Sequence, residues 1–220
     1  LFFGFSSGLP LALTGATLAV WLTEARVNLT NIGLVSLVGL AYAFKFLWSP
    51  LVDRLPIPGL TTMLGRRRSW MLVSQCAIVA AALAMAVNDP GDPDTRRWTI
   101  LWALVVAFGS ATQDIAIDAY RTEILAETQL GAGAANLVFG YRVGMLASGG
   151  GALIIADAAG WGWAYALMAA LMAVGVIAVF VNPEPAVRHT PAQQALEAAG
   201  TEWTQRWAGI PSDVRRALSW

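Results

Sequence analysis

Asp114 and Asp118 stand four residues apart in the stretch TQDIAIDAYRTEI, directly after a run from Trp98 to Ala111 that carries no charge. Positions i and i+4 share one face of a helix, so both carboxylates point the same way. Carboxylates so placed can hold protons or pair with cations on a neighbouring helix. Two cations inside other apolar stretches are the counterparts, Lys45 and Arg142. On insertion scales each such charge costs about 2.5–3.5 kcal/mol at a bilayer centre, so it faces the bundle interior or water. Gln113 adds an amide beside Asp114. Ser7, Thr14 and Thr17, with Pro10 among them, add hydroxyls on one helix face. That face could line an aqueous cavity, or its small side chains could simply let helices pack closely.

The elements that must position these groups are membrane helices. The chain has 220 residues, 57% hydrophobic and 13% charged, where a soluble domain carries about 25% charged residues. Net charge is zero, so no basic field points to nucleic acid. A membrane-spanning helix needs about 20 mostly apolar residues. Six stretches qualify, near 1–22, 32–52, 70–87, 98–119, 132–156 and 163–181. The alternating ten-residue strands of a β-barrel are not seen. The expected fold is therefore all-α and integral to the membrane, with a six-helix bundle over 1–182 and a linker over 183–220. In the tail, PAQQALEAAGTEWTQRWAGI allows a short surface helix presenting Leu196, Trp203 and Trp207 to lipid.

Loops on one side hold Arg54, Arg66, Arg67, Arg68, Arg121, Arg188, Arg206, Arg215 and Arg216, against Arg26, Arg96 and Arg97 on the other. The first side, which includes both ends of the chain, is expected to be cytoplasmic. Lys45, Asp114 and Arg142 fall about 10, 8 and 15 Å from the cytoplasmic helix ends. The shared depth predicts a contact of Asp114 or Asp118 with Arg142, with Lys45 nearby. Arg121 is a further partner for Asp118. Helices three and six carry no charge and are expected to face lipid, while one, two, four and five face inward. A carboxylate between a cation and an apolar wall is pulled both ways between charged and neutral forms. A substrate arriving at Arg142 would change that balance and couple transport to protonation. Lone Cys76 is expected to be buried and inert. Lone His189 cannot build a metal site. No cleavable leader precedes the first apolar stretch, and the chain opens inside that stretch, so a piece of a longer protein is expected.

The loop SPLVDRLPIPGLTTMLGRRR joins helices two and three. Its order, Asp53-Arg54 and then Gly65-Arg66-Arg67-Arg68, resembles the helix two–three loop of major facilitator superfamily transporters. The first glycine of that pattern is replaced by Ser49 or Pro50, and LPIPGLTTM is extra. Longer stretches, GFSSGLPLALTGATLAVWLTEA, GRRRSW, ATQDIAIDAYRTEIL and GYRVGMLASGGGALI, resemble the AmpG muropeptide permeases within that superfamily. The resemblance runs to about Pro185. It implies half of an importer of the bacterial inner membrane with twelve or more helices, this half made of two inverted three-helix repeats and lacking its C-terminal partner half. Its substrate would be GlcNAc-anhydro-MurNAc, with or without peptide, recycled from the cell wall and able to signal β-lactamase induction. The driving force would be a proton gradient, with no cofactor. Asp53, Arg54, Gly65 and Arg66 to Arg68 would form a gate. An anionic, hydroxyl-rich substrate would suit Lys45, Gln113, Arg142, Ser7 and Thr14. Another anionic solute, such as acyl-coenzyme A or a siderophore, is the nearest alternative. A membrane enzyme acting on a lipid-linked sugar would need an acid/base pair such as Asp118 with Glu123, yet no metal cluster or nucleophile motif supports one. A scaffold role leaves the intramembrane charges without a purpose.

Overall fold

The computed structural model describes residues 1–28 and 36–185, and Leu1–Pro185 forms one compact unit. Every regular element among these residues is helical. Five helices are long and apolar enough to cross a membrane: α1 (Phe2–Glu24), α3 (Arg66–Ala86), α4 (Pro93–Ile124), α5 (Glu127–Ala159) and α6 (Trp161–Val181). The expected second span starts outside the described residues. Its described part, α2, opens with the 3-10 turn Ser36–Gly39 and continues as the broken pair Leu40–Phe44 and Ser49–Arg54, joined by the tight turn Lys45–Leu47. The tail, with His189, Leu196, Trp203 and Trp207, also lies outside them.

The bundle is apolar outside as well as inside. Phe108, Phe139, Leu146, Ile154, Ile177, Phe180 and Val181 are exposed, far more contiguous apolar surface than water tolerates. Cys76 lies on this outer surface and not in the core, the reverse of the expectation. Its neighbour Gln75 takes the inward position on α3. The outward groups are not shared evenly. Only 22% of the apolar window of α5 is buried, against 44% in both α3 and α6. α5, expected to face inward, is therefore the most open helix, because it packs mainly on α1.

That packing is unusually close. Gly4 and Gly8 of α1 lie against the backbone of Leu137 and Tyr141, while Gly140 and Gly144 of α5 lie against Leu1, Phe5 and Leu9. Two glycines four apart on each helix put backbone on backbone, which small-residue interfaces achieve where lipid supplies no hydrophobic drive. The helical path of α1 is broken at Gly15, whose φ of −96° and ψ of −107° leave the helical region. Beside the break, Leu13 O accepts from Tyr165 Oη at 3.1 Å. The closest contacts of α5 are at Gly140 and Gly144 and not at the SGGGA stretch. That stretch is wound as a π-helix over Ala147–Gly151, and Ser148 O there accepts from Thr17 Oγ1 at 2.7 Å. At the end of α1 and start of α6, Trp21 is buried and stacks on Trp161, with ring centroids 5.6 Å apart. It is thus a core residue.

A methyl group at Gly8 or Gly144 would collide with backbone, which cannot swing aside. Gly8→Ala or Gly144→Ala is expected to lower stability by about 1–3 kcal/mol, read as a lower thermal midpoint of the full-length protein in detergent. Gly131→Ala, where an added Cβ meets nothing within 4 Å, leaves the midpoint unchanged or raises it.

Candidate functional site

Adjacent side chains of α4 meet adjacent serines of α1. Ser7 Oγ donates to Asp114 Oδ1. Next to it, Gln113 Nε2 donates to Ser6 Oγ at 3.3 Å, and Ser6 Oγ donates to Phe3 O at 3.0 Å. Ser6, Ser7 and Gln113 are buried, and Asp114 is half-buried. Lys45 and Asp118 both lie near enough to act on Asp114 through their charges. Tyr42 of α2 and Tyr141 of α5 also lie near enough to feel its charge. A carboxylate in this setting can exchange a proton, and Lys45 can receive an anion. Tyr42 and Tyr141 gave no sequence signal, since a tyrosine in an apolar helix reads as core.

The expected contact of Arg142 with Asp114 or Asp118 is not formed. Ion pairs among the described residues both involve Arg67. Successive helical residues point about 100° apart, and α5 turns Tyr141, not Arg142, toward Asp114. Arg142 is exposed. Asp118 is exposed as well and makes no ion pair with Arg121. The Arg121 side chain lies instead beside Gly133 of α5. The hydroxyls of α1 diverge too. Ser7 reaches α4, Thr17 reaches α5, and Thr14 Oγ1 turns back on Pro10 O at 2.9 Å.

A second cluster lies where α3 begins and α4 and α6 end. Arg67, with its side chain 7% exposed, spans two carboxylates. Its Nη1 donates to Asp53 Oδ1 at 2.6 Å. Its Nε and Nη2 donate to Glu123 Oε1 at 3.0 and 2.5 Å. The planar guanidinium fork allows both engagements at once. Gly65 starts α3 with φ of +87°, a conformation that disfavours any side chain. A Cβ there would also meet the Glu184 side chain. Glu184 caps α3, accepting from Arg67 N at 2.8 Å and Arg68 N at 3.1 Å. Arg68 Nε in turn donates to Val179 O at 2.7 Å, and Tyr120 Oη to Pro183 O at 2.7 Å. Asp53 and Arg67 therefore meet, Arg68 binds α6, and Arg66 Nε is buried without a partner among the described residues. Glu123 and Glu184 escaped the sequence reading as members of this cluster. Glu184 was legible as a lone acid just past a helix end, opposite the orphan N–H groups of another helix.

Residues 1–217 match the Major Facilitator Superfamily. The chain is 49% identical over 200 residues to the anhydromuropeptide permease of Escherichia coli, covering 90% of this chain and 39% of the permease. It is 39% identical over 211 residues to an uncharacterized protein of Haemophilus influenzae, covering 93% and 48%. It is 36% identical over 190 residues to a Rickettsia felis protein whose name assigns it provisionally as transporter AmpG 4, covering 84% and 45%. The chain thus spans less than half the length of each of these relatives.

Arg67→Ala leaves Asp53 and Glu123 facing one cluster with no cation. It is expected to lower stability by about 1.5–3 kcal/mol, toward the lower figure because both carboxylates keep some contact with solvent. Arg67→Lys supplies a point charge without the fork and restores less than half of the loss. Unfolding midpoints of the full-length protein in detergent check both.

Proposed function

The chain belongs to the Major Facilitator Superfamily, and on that premise we propose that it is the first half of a secondary transporter importing anhydromuropeptides across the inner membrane. The observation that carries this reading is the 49% identity over 200 residues with a permease named for that substrate. The half-bundle is chemically suited to it. Lys45 offers a cation to an anionic solute, and Gln113 and Asp114 offer partners for sugar hydroxyls. Arg142, exposed on the open face of α5, supplies a second cation where a further six-helix half would close over it. Asp114 is the coupling carboxylate, and Asp118, one turn nearer the basic loops, is the accessory one. The proton gradient is the driving force, without a cofactor.

Asp53, Arg54, Gly65 and Arg66 to Arg68 then act at the cytoplasmic gate, where Arg67 steadies one state of the cycle by holding α2 and α4 together. Glu123 is committed to Arg67, which removes the partner that an acid/base pair with Asp118 would require. That commitment favours transport over chemistry on a lipid-linked sugar.

The test is uptake of labelled GlcNAc-anhydro-MurNAc by the full-length protein in cells lacking their own permease. Saturable uptake is expected, and its absence sinks the substrate assignment. Asp114→Asn should reduce pH-gradient-driven uptake by about a hundredfold, with a smaller loss in Asp118→Asn. If both variants retain normal gradient-driven uptake, neither acid couples transport to protons.

A further inference from the structure

Serines and threonines in membrane helices usually satisfy their hydroxyls on the carbonyl one turn back. Ser69, Ser74, Thr112 and Ser148 do so here, at 2.5, 2.8, 2.8 and 3.0 Å. Ser110 does not. It is fully buried, and its Oγ has no partner among the described residues. Tyr42 Oη is also buried and without such a partner. The two are neighbours, since Ser110 and Thr14 both lie within polar reach of Tyr42 Oη, with Asp114 and Tyr141 also acting on it.

Three helices place these hydroxyls at a common level. Ser110 is four residues before Asp114 on α4. Tyr42 is three residues before Lys45 on α2. Thr14 is seven residues beyond Ser7 on α1, which runs the opposite way. All three displacements lead away from the Arg67 cluster. The hydroxyls therefore form a layer one to two turns from the carboxylate, on its far side.

We propose that Thr14, Tyr42 and Ser110 enclose a water site beside Asp114, and that water held there carries protons to and from this carboxylate. The valences match. Tyr42 and Ser110 each have a free O–H to donate, and a water oxygen accepts two. Thr14 spends its hydrogen on Pro10 O but keeps a lone pair. The water donates one hydrogen to Thr14 and the other toward Asp114, reaching the two to four partners that a buried water needs. In transfer, the O–H bond directed at Asp114 breaks as a new bond forms to its carboxylate oxygen. The water takes its replacement proton along the hydrogen bond from Tyr42 Oη, and that hydroxyl recovers one from the next water outward, so no charge is left in the layer. Asp114 also feels Lys45 from α2, Asp118 from its own helix, and Tyr141 from α5, whose neighbour Arg142 acts on that tyrosine. These groups set its charge balance, and the hydroxyl layer sets its access.

The consequence for uptake rests on the transporter reading, but the water site itself does not. The full-length protein in proteoliposomes separates the two. With labelled GlcNAc-anhydro-MurNAc, Tyr42→Phe and Ser110→Ala are expected to reduce accumulation driven by a pH gradient about tenfold. Exchange of labelled for unlabelled substrate at equal pH, which needs no net proton movement, stays within about twofold of the parent protein. Unchanged accumulation, or a parallel loss of exchange, overturns the proposal. Wild-type protein that exchanges no muropeptide overturns the transport reading alone. The site is then tested by infrared spectroscopy, following hydrogen–deuterium exchange of the carboxyl band that disappears in Asp114→Asn. Slower exchange in Tyr42→Phe supports the site, and an unaltered rate overturns it.

Discussion

The backbone contact between α1 and α5 decides where the other helices go. Gly4, Gly8, Gly140 and Gly144 remove the side chains that would hold two helices at ordinary spacing. With α5 drawn in so closely, α1 stands at the middle of the bundle, touching α4, α5 and α6. Ser6 and Ser7 then fall against Gln113 and Asp114, and Tyr141 is brought to face the same carboxylate. A wider spacing would leave Asp114 to find another donor, in surroundings where unpaired polar groups are costly. The polar layer is thus a product of a contact made by residues with no side chain at all.

α4 joins the two polar clusters. Asp114 and Glu123 lie nine residues apart on it, about 13 Å along the axis. A rigid helix that carries both Asp114 and the partner of Arg67 moves them together. α3 supplies Arg67 at its start and Gln75 two turns on, and Glu184 ties the end of α6 to the first N–H groups of α3. Three helix ends therefore share one network of charges, while the opposite end of α1 is held by aromatic stacking of Trp21 with Trp161 and by Trp161 Nε1 donating to Glu24 at 2.7 Å. One end is ionic. The other is packed.

Much of this was legible in the sequence, and for identifiable reasons. Long apolar runs mark membrane helices because every backbone group in lipid must be satisfied within its own segment. Isolated charges within those runs mark an interior site, since lipid rejects them. Asp114 and Lys45 were found this way and do lie near one another, but Asp118 and Arg142, marked by the same signal, are exposed. Pairing was less legible. Arg142 and Asp114 match in depth along the membrane, yet depth says nothing about rotation around the helix axis. One residue of difference turns a side chain by about 100°, which separates Tyr141 from Arg142. Cys76 was expected inside and lies outside by the same ambiguity, because a helix apolar on all sides carries no periodic signal of which face is inward.

By itself, the sequence determined that the chain forms several helices long and apolar enough to cross a membrane, and that Asp114 and Lys45 lie near one another. Those follow from composition and local order, which act on each segment alone. Only the tertiary structure decided that Arg67, among three consecutive arginines, spans Asp53 and Glu123, that Glu184 caps α3, and that glycines of α1 and α5 meet. It also decided that Tyr42 and Ser110 share an unfilled set of hydrogen-bond valences next to Asp114. Each of these depends on the azimuth and separation of helices distant in the chain, quantities that packing sets and that no single segment encodes.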